Sequence, residues 1–148
     1  MTFYLDTSAL VKRYIQEFGS DRIQEITSAS DGLFISLITY VEVIAALSRR
    51  GKESSAMKSA MAQALSTFRD EFDQRAFRTV APTKTLLLAA SALAQKHYLR
   101  GYDAIQLASV IRVAELLRTQ GISDLVFVCA DHELLHAAGS ENISIEAI

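Results

Sequence analysis

The sequence predicts an α/β fold, with helices packed on both faces of a central parallel sheet of about four to five strands. Short β-prone apolar runs alternate along the chain with longer stretches of helical periodicity. Strands separated by helices require crossover connections, and such connections make neighbouring strands parallel. The chain has 148 residues, half of them hydrophobic, which suits one well-buried domain spanning 1–148. No repeat, linker or low-complexity tract divides it.

The elements follow in order. Thr2 to Leu5 is short, aromatic and strand-like. Thr7 or Ser8 opens an amphipathic segment expected to run helically to Phe18 and stop at Gly19. Asp21 to Ala29 reads as a second helix and Asp31-Gly32 as a turn. Leu33 to Ser36 fits a buried strand, and Thr39 to Arg50 a helix closed by Gly51. Between Glu53 and Phe77, Met57, Met61, Leu65, Phe68 and Phe72 recur three or four residues apart, the spacing of a helix face. That helix is rich enough in apolar positions to offer a partner surface as well as a core face. A short strand at Thr79 to Ala81 precedes Pro82, and Thr83 caps a helix to about Tyr98. Asp103 begins another that ends near Gln120-Gly121. Leu125 to Cys129 is the clearest strand, Asp131 to Ala138 a short helix, and Ile143 to Ile145 a last strand.

Composition narrows the function. The formal net charge is −2 and the pI about 5.9, which argues against binding nucleic acid through bulk charge. A nucleic-acid partner would need a local basic patch or a groove built by two subunits. The one cysteine, Cys129, falls in a core strand and reads as a buried thiol. Asp6 interrupts the N-terminal apolar run before a secretory signal could form. No apolar stretch reaches the roughly 18 residues of a membrane span. A cytoplasmic protein without a membrane segment is the expectation.

Four carboxylates stand where folding alone would not place them. Asp6 ends Phe3-Tyr4-Leu5, and Asp131 follows Leu125 to Ala130. Glu42 interrupts the stretch from Leu37 to Leu47, and Asp103 opens Ala104-Ile105-Gln106-Leu107-Ala108. An ionised carboxylate beside apolar surface is costly to desolvate unless it is paired or binds a cation. Open α/β sheets build their sites at the carboxyl ends of the strands, so the topology tends to gather all four at one edge. A shared acidic site for a divalent cation is the reading that accounts for them together. Taken singly, Asp6, Asp103 and Asp131 are equally suited to capping helices. Glu42 lies inside its helical run and cannot be a cap, though taken alone it also fits a solvated helix edge.

The basic residues carry a weaker signal. Lys12 and Arg13, less than two helical turns after Asp6, are candidates for neutralising acids or touching phosphate. Lys96 and Arg100 flank the Asp103 edge and are placed to guide a polyanion. Arg49, Arg50 and Lys52 read as a solvated helix end. His97, His132 and His136 make no zinc pattern.

In their order, these motifs resemble the PIN-domain family, in particular the VapC toxins of type II toxin–antitoxin systems. Asp6-Thr7-Ser8-Ala9-Leu10-Val11-Lys12-Arg13-Tyr14 is similar to the family's opening and Thr39-Tyr40-Val41-Glu42-Val43 to its second motif. Gly101 to Ala108 resembles the third, and Ala130-Asp131 with Leu134 and Ala137-Ala138 the fourth. The resemblance implies a PIN-like α/β/α sandwich and a ribonuclease dependent on Mg²⁺ or Mn²⁺. It makes Asp6 and Asp103 the main metal ligands and has Glu42 complete the site or position the attacking water. Asp131 would bind or orient a second metal, and Ser8 would support Asp6. Cleavage would leave a 5′-phosphate and a 3′-hydroxyl. Lys12, Arg13 and Arg100 are the expected substrate contacts. Many relatives carry Thr or Ser where this chain has Cys129, a poorer hydrogen-bond donor, so Asp131 is expected to be held less firmly. The partners implied are an RNA substrate, a cognate protein antitoxin and a second copy of the chain, with Lys12, Arg13, Lys96 or Arg100 lining a shared groove. The alternative is a PIN-like module that binds RNA or a partner with little or no turnover.

Overall fold

A computed structural model describes residues 1–148. Five parallel strands form one sheet: β1 (Thr2–Leu5), β2 (Gly32–Ser36), β3 (Arg78–Val80), β4 (Leu125–Cys129) and β5 (Ser144–Ala147). Their spatial order is β3-β2-β1-β4-β5. The crossovers carry seven helices: α1 (Thr7–Leu10), α2 (Ser20–Ala29), α3 (Ile38–Arg50), α4 (Ser55–Asp73), α5 (Lys84–His97), α6 (Gly101–Thr119) and α7 (His132–Ser140). The expected sandwich is present.

The period-2 alternation of a strand divides the core into two layers. Phe3, Leu5, Leu33, Ile35 and Val128 face one side, against Ile23, Val43, Leu47 and Phe68. Tyr4, Phe34, Phe127 and Cys129 face the other, against Leu107, Val110 and Leu134. Phe68 of α4 is fully buried beside Tyr14, Tyr40 and Phe72, so the Met/Phe face of that helix is core.

The chain departs from expectation in its first crossover. Instead of one helix to Phe18, α1 ends at Leu10 and a single 3-10 turn covers Val11–Arg13. Side chains take over the backbone bonds that a longer helix would have used. Ser20 donates its hydroxyl to the Ile15 carbonyl at 2.8 Å and accepts the Glu17 N–H at 2.9 Å. Such local bonds by serine compete with helical ones. The helix expected from Glu53 is shorter too. Ser54 caps α4 by accepting the Met57 N–H, and Arg75 turns the chain at φ 60° beyond its end.

The order of the sheet positions the site. From β1 the chain crosses to β2 on one side, and β4 lies on the other, so the carboxyl end of β1 is the point where the strand order reverses. Crevices form there because the flanking connections diverge to opposite faces.

Candidate active site

Asp6 leaves β1 at that reversal. Its N–H donates to the Val128 carbonyl of β4 at 3.0 Å, which fixes it against the neighbouring strand. Its carboxylate is buried and caps α1, accepting the Ser8 N–H at 3.0 Å and the Ser8 hydroxyl at 2.6 Å. Ser8 Oγ in turn accepts the Ala130 N–H at 3.0 Å, so Ser8 ties the ends of β1 and β4 together. Ser8 thus bonds both the Asp6 carboxylate and the backbone after β4.

Asp103 lies in the first turn of α6, which begins at Gly101, two residues earlier than expected. Asp131 caps α7 through Oδ1, which accepts the Glu133 and Leu134 N–H groups at 2.9 and 3.1 Å. Its own N–H donates to Cys129 Sγ at 3.2 Å. The helix terminus holds the Asp131 carboxylate, and the thiol holds only its backbone. Glu42 sits half-buried on α3, one turn beyond Thr39, which is fully buried. Gln106 Nε2 reaches Glu42 Oε1 at 3.2 Å.

The acids sense one another. Burial, then the charge of Asp6, pushes the Glu42 carboxyl above its usual range, with Asp103 adding to the effect; hydrogen bonds from Thr7 and Gln106 pull it back in part. Burial likewise raises Asp103, followed by Asp6 and Asp131, and the Arg100 guanidinium offsets only some of this. Glu42, Asp103 and Asp131 line one cleft of about 500 Å³ with Arg100, Tyr102 and Ile105. Asp6, at the end of β1, does not line this cleft, but its charge reaches both Glu42 and Asp103. No three His, Cys, Asp or Glu side chains close tightly enough to form a ready chelate. The donor set still fits a hard divalent cation: carboxylate oxygens, from the buried Asp6 through the half-buried Glu42 and Asp103 to the exposed Asp131, beside a cleft with room for water and phosphate.

The basic residues divide. Arg100 is exposed at the rim of the cleft. Lys12 and Arg13 are corrections to the expected substrate contacts. Lys12 is buried, its ammonium donating to Glu17 at 3.1 Å and to the Phe18 carbonyl at 2.8 Å. Arg13 grips Glu71 through two bonds, at 3.0 and 2.6 Å, and donates to Thr27. Their charges are already matched inside the fold, by Glu17 and Glu71. Lys96 is matched as well, by Glu141 at 2.6 Å.

The family model of the PIN domain matches residues 3–121, a span that holds three of the four acids. The chain belongs to the PIN-domain family. Within it, the chain is 34% identical over 136 residues to Ribonuclease VapC45 and to Ribonuclease VapC49 of Mycobacterium tuberculosis, covering 92% of this chain and 90% of each relative. This makes it a VapC-type PIN protein. FitAcB from Neisseria gonorrhoeae superposes with a TM-score of 0.60 at 12% identity, over 97% of this chain and 95% of that one. DNA-bound VapBC from Salmonella typhimurium does so at 0.54 and 19% identity, over 99% and 98%. These two likenesses establish the fold of the VapC-type chain independently of close sequence identity.

The sequence reading missed Gln106, Thr39, Thr7 and Tyr4, the polar groups packed behind Glu42. Gln106 carried a usable signal: a polar residue in an otherwise apolar helical run, three residues from Asp103 and hence on its face.

Proposed function

We propose that this VapC-type chain, as a single domain of residues 1–148, is a Mg²⁺- or Mn²⁺-dependent endoribonuclease and the toxin of a toxin–antitoxin pair. The observation that carries the reading is the gathering of Glu42, Asp103 and Asp131 in one cleft at the sheet's reversal point, where burial and then the charge of the buried Asp6 raise Glu42 and Asp103. Four carboxylates in that relation leave the edge short of positive charge, and identity to named ribonucleases supplies the reaction class.

Asp6 and Asp103 are the principal ligands, fixed by the end of β1 and the start of α6. Asp131 faces the same cleft and serves a second ion or orients the first. Glu42 completes the set or positions the attacking water in line with the scissile phosphorus. A bound divalent cation supplies activation of that water and stabilises the leaving oxygen. Arg100 meets the phosphate backbone at the rim, and with the chain's negative balance RNA is admitted either by a groove shared between two copies or by selection at the site itself. A homodimer that builds a wider groove, an antitoxin covering the cleft and a cytoplasmic setting complete the proposal. Complexes of VapBC and FitAB among the structural neighbours support the antitoxin partner.

The test is cleavage of total cellular RNA by the purified protein with Mg²⁺ or Mn²⁺. Discrete fragments that vanish with EDTA and with Asp103→Asn are the expected result. Metal binding without cleavage of any RNA would instead favour a binding module.

A further inference from the structure

We propose that Gln106 is the positioning residue for Glu42, holding its carboxylate toward the metal cleft through a buried amide; the inference rests on the nuclease reading above. Gln106 is 1% exposed, and every polar atom of its side chain is engaged. Nε2 reaches Thr39 Oγ1 at 2.9 Å, Glu42 Oε1 at 3.2 Å and Thr7 Oγ1 at 3.3 Å. Oε1 accepts the Tyr4 hydroxyl at 2.8 Å.

The orientation of the amide follows from donor chemistry. An ionised carboxylate only accepts, so the amide nitrogen must face Glu42. Oε1 then faces Tyr4, whose hydroxyl must donate. Tyr4 is itself immobilised: it is fully buried on the central strand, edge-on to Phe127 at 5.7 Å between ring centroids. Two N–H groups serve three acceptors, so one is shared; the acceptors are Glu42 itself and two threonine hydroxyls. Thr39 is one turn before Glu42 on α3, and Thr7 follows Asp6.

The result is a rigid line from the middle of β1, through the phenol and the amide, to a carboxylate at the cleft. Gln106 stands three residues after Asp103 on α6, one turn deeper on the same face. One helix thereby fixes two acids: it carries Asp103 directly and orients Glu42 from α3. An uncharged donor suits this place. A lysine would neutralise Glu42 and compete with a cation; the amide fixes direction and leaves the charge. Residues behind a ligand commonly set its orientation, and their loss costs about tenfold to a hundredfold in affinity or activity.

The experiment is a double-mutant cycle between Gln106→Met and Glu42→Gln, with kcat and KM on a cleaved RNA and, separately, Mn²⁺ affinity by calorimetry without RNA. Methionine keeps the volume and deletes the donor. The expected result is a loss of about tenfold to a hundredfold in kcat with KM little changed, and weakened Mn²⁺ binding. In the Glu42→Gln background the same change should add no more than about twofold, the scatter of non-interacting sites. Equal losses in both backgrounds, or unchanged kcat and Mn²⁺ affinity in Gln106→Met, would overturn the proposal. If Gln106→Met does not fold, Tyr4→Phe removes only the hydroxyl that anchors the amide. It must then lower kcat and Mn²⁺ affinity in the Glu42 background but not in Glu42→Gln. Should the wild type cleave no RNA, the nuclease reading fails, while the Mn²⁺ cycle still decides the role of Gln106.

Discussion

Glu71 and the acids of the cleft show one chain handling carboxylates in opposite ways. Burial alone would raise Glu71, but hydrogen bonds from Arg13 and Tyr14 and the charge of Arg13 outweigh it and hold the carboxyl below its usual range. Both its oxygens accept bonds, from Arg13 at 3.0 and 2.6 Å and Tyr14 at 2.5 Å. Burial also raises Glu42 and Asp103, and there the next contributor is another acid, Asp6. The fold thus supplies a guanidinium where a carboxylate serves structure. At the sheet edge it supplies neutral hydrogen bonds and one arginine at the rim. A region that sets like charges together gives up stability, a pattern characteristic of functional sites.

The largest effect expected from this contrast is on Asp103→Asn. Cleavage should fall by at least about a hundredfold, since metal stabilisation of the transition state amounts to several kcal/mol. Without metal, the same variant should be slightly more stable than the wild type, because the net surroundings of Asp103 disfavour its charge, an effect that solvent at this half-exposed position keeps small. Thermal denaturation in EDTA beside an RNA-cleavage assay checks both halves. Lower stability with lost activity would mean that Asp103 is a structural acid.

Arg13→Ala should behave in the opposite sense. It strands Glu71 and Tyr14 and removes a partly buried, bidentate pair, so stability should drop by about 1.5–3 kcal/mol. Cleavage per folded molecule should not change, because Arg13 is engaged by Glu71 and Thr27 and does not line the cleft. A rise in KM for RNA with an unaltered melting temperature would restore Arg13 to the substrate surface.

Acidity separates the two regions by sign. The depressed carboxyl of Glu71 contributes stability that is present above the ordinary glutamate pKa and lost as pH falls through the lower, folded value. Glu42 and Asp103 bind their protons more tightly in the fold than in the unfolded chain. Their contribution is greatest when protonated and declines as pH rises from the ordinary carboxylate range through the raised values. Denaturant titrations of Glu71→Gln should flatten the loss on the acid side, and those of Asp103→Asn the decline above it. Added Mn²⁺ should stabilise the wild type more at pH 7 than near pH 4, where protons compete for the same oxygens.

Most of the sheet and the four acids were legible in the sequence because each is marked locally. Apolar runs end at Asp6 and Asp131, and Glu42 breaks a helical pattern. The first crossover was not, since the Ser20 side chain takes the Ile15 carbonyl only once the chain has folded back. For the same reason the charges of Lys12 and Arg13 looked available until Glu17 and Glu71, distant or off-register in sequence, reached them. Gln106 was visible only as an oddity. Its meaning depends on Tyr4, Thr39 and Glu42 arriving from three other elements.

The smallest effect should come from Cys129, where the two modes of holding an acid meet. Its thiol is buried, with burial and then the charge of Asp6 pushing its ionisation far up, so it acts as a neutral group. It lies 3.6 Å from both Asp6 Oδ2 and Ser8 Oγ and accepts the Asp131 N–H. The sequence suggested that a thiol here loosens Asp131. The structure assigns the carboxylate to the α7 terminus instead, whose two N–H groups do not depend on residue 129. Cys129→Ser trades a weak donor for a stronger one in a smaller volume, and the two changes oppose each other. Stability should move by less than about 1 kcal/mol, and cleavage should stay within about twofold. A gain in cleavage well beyond that, at unchanged melting temperature, would show that the thiol limits the site through Asp6 or Asp131 after all.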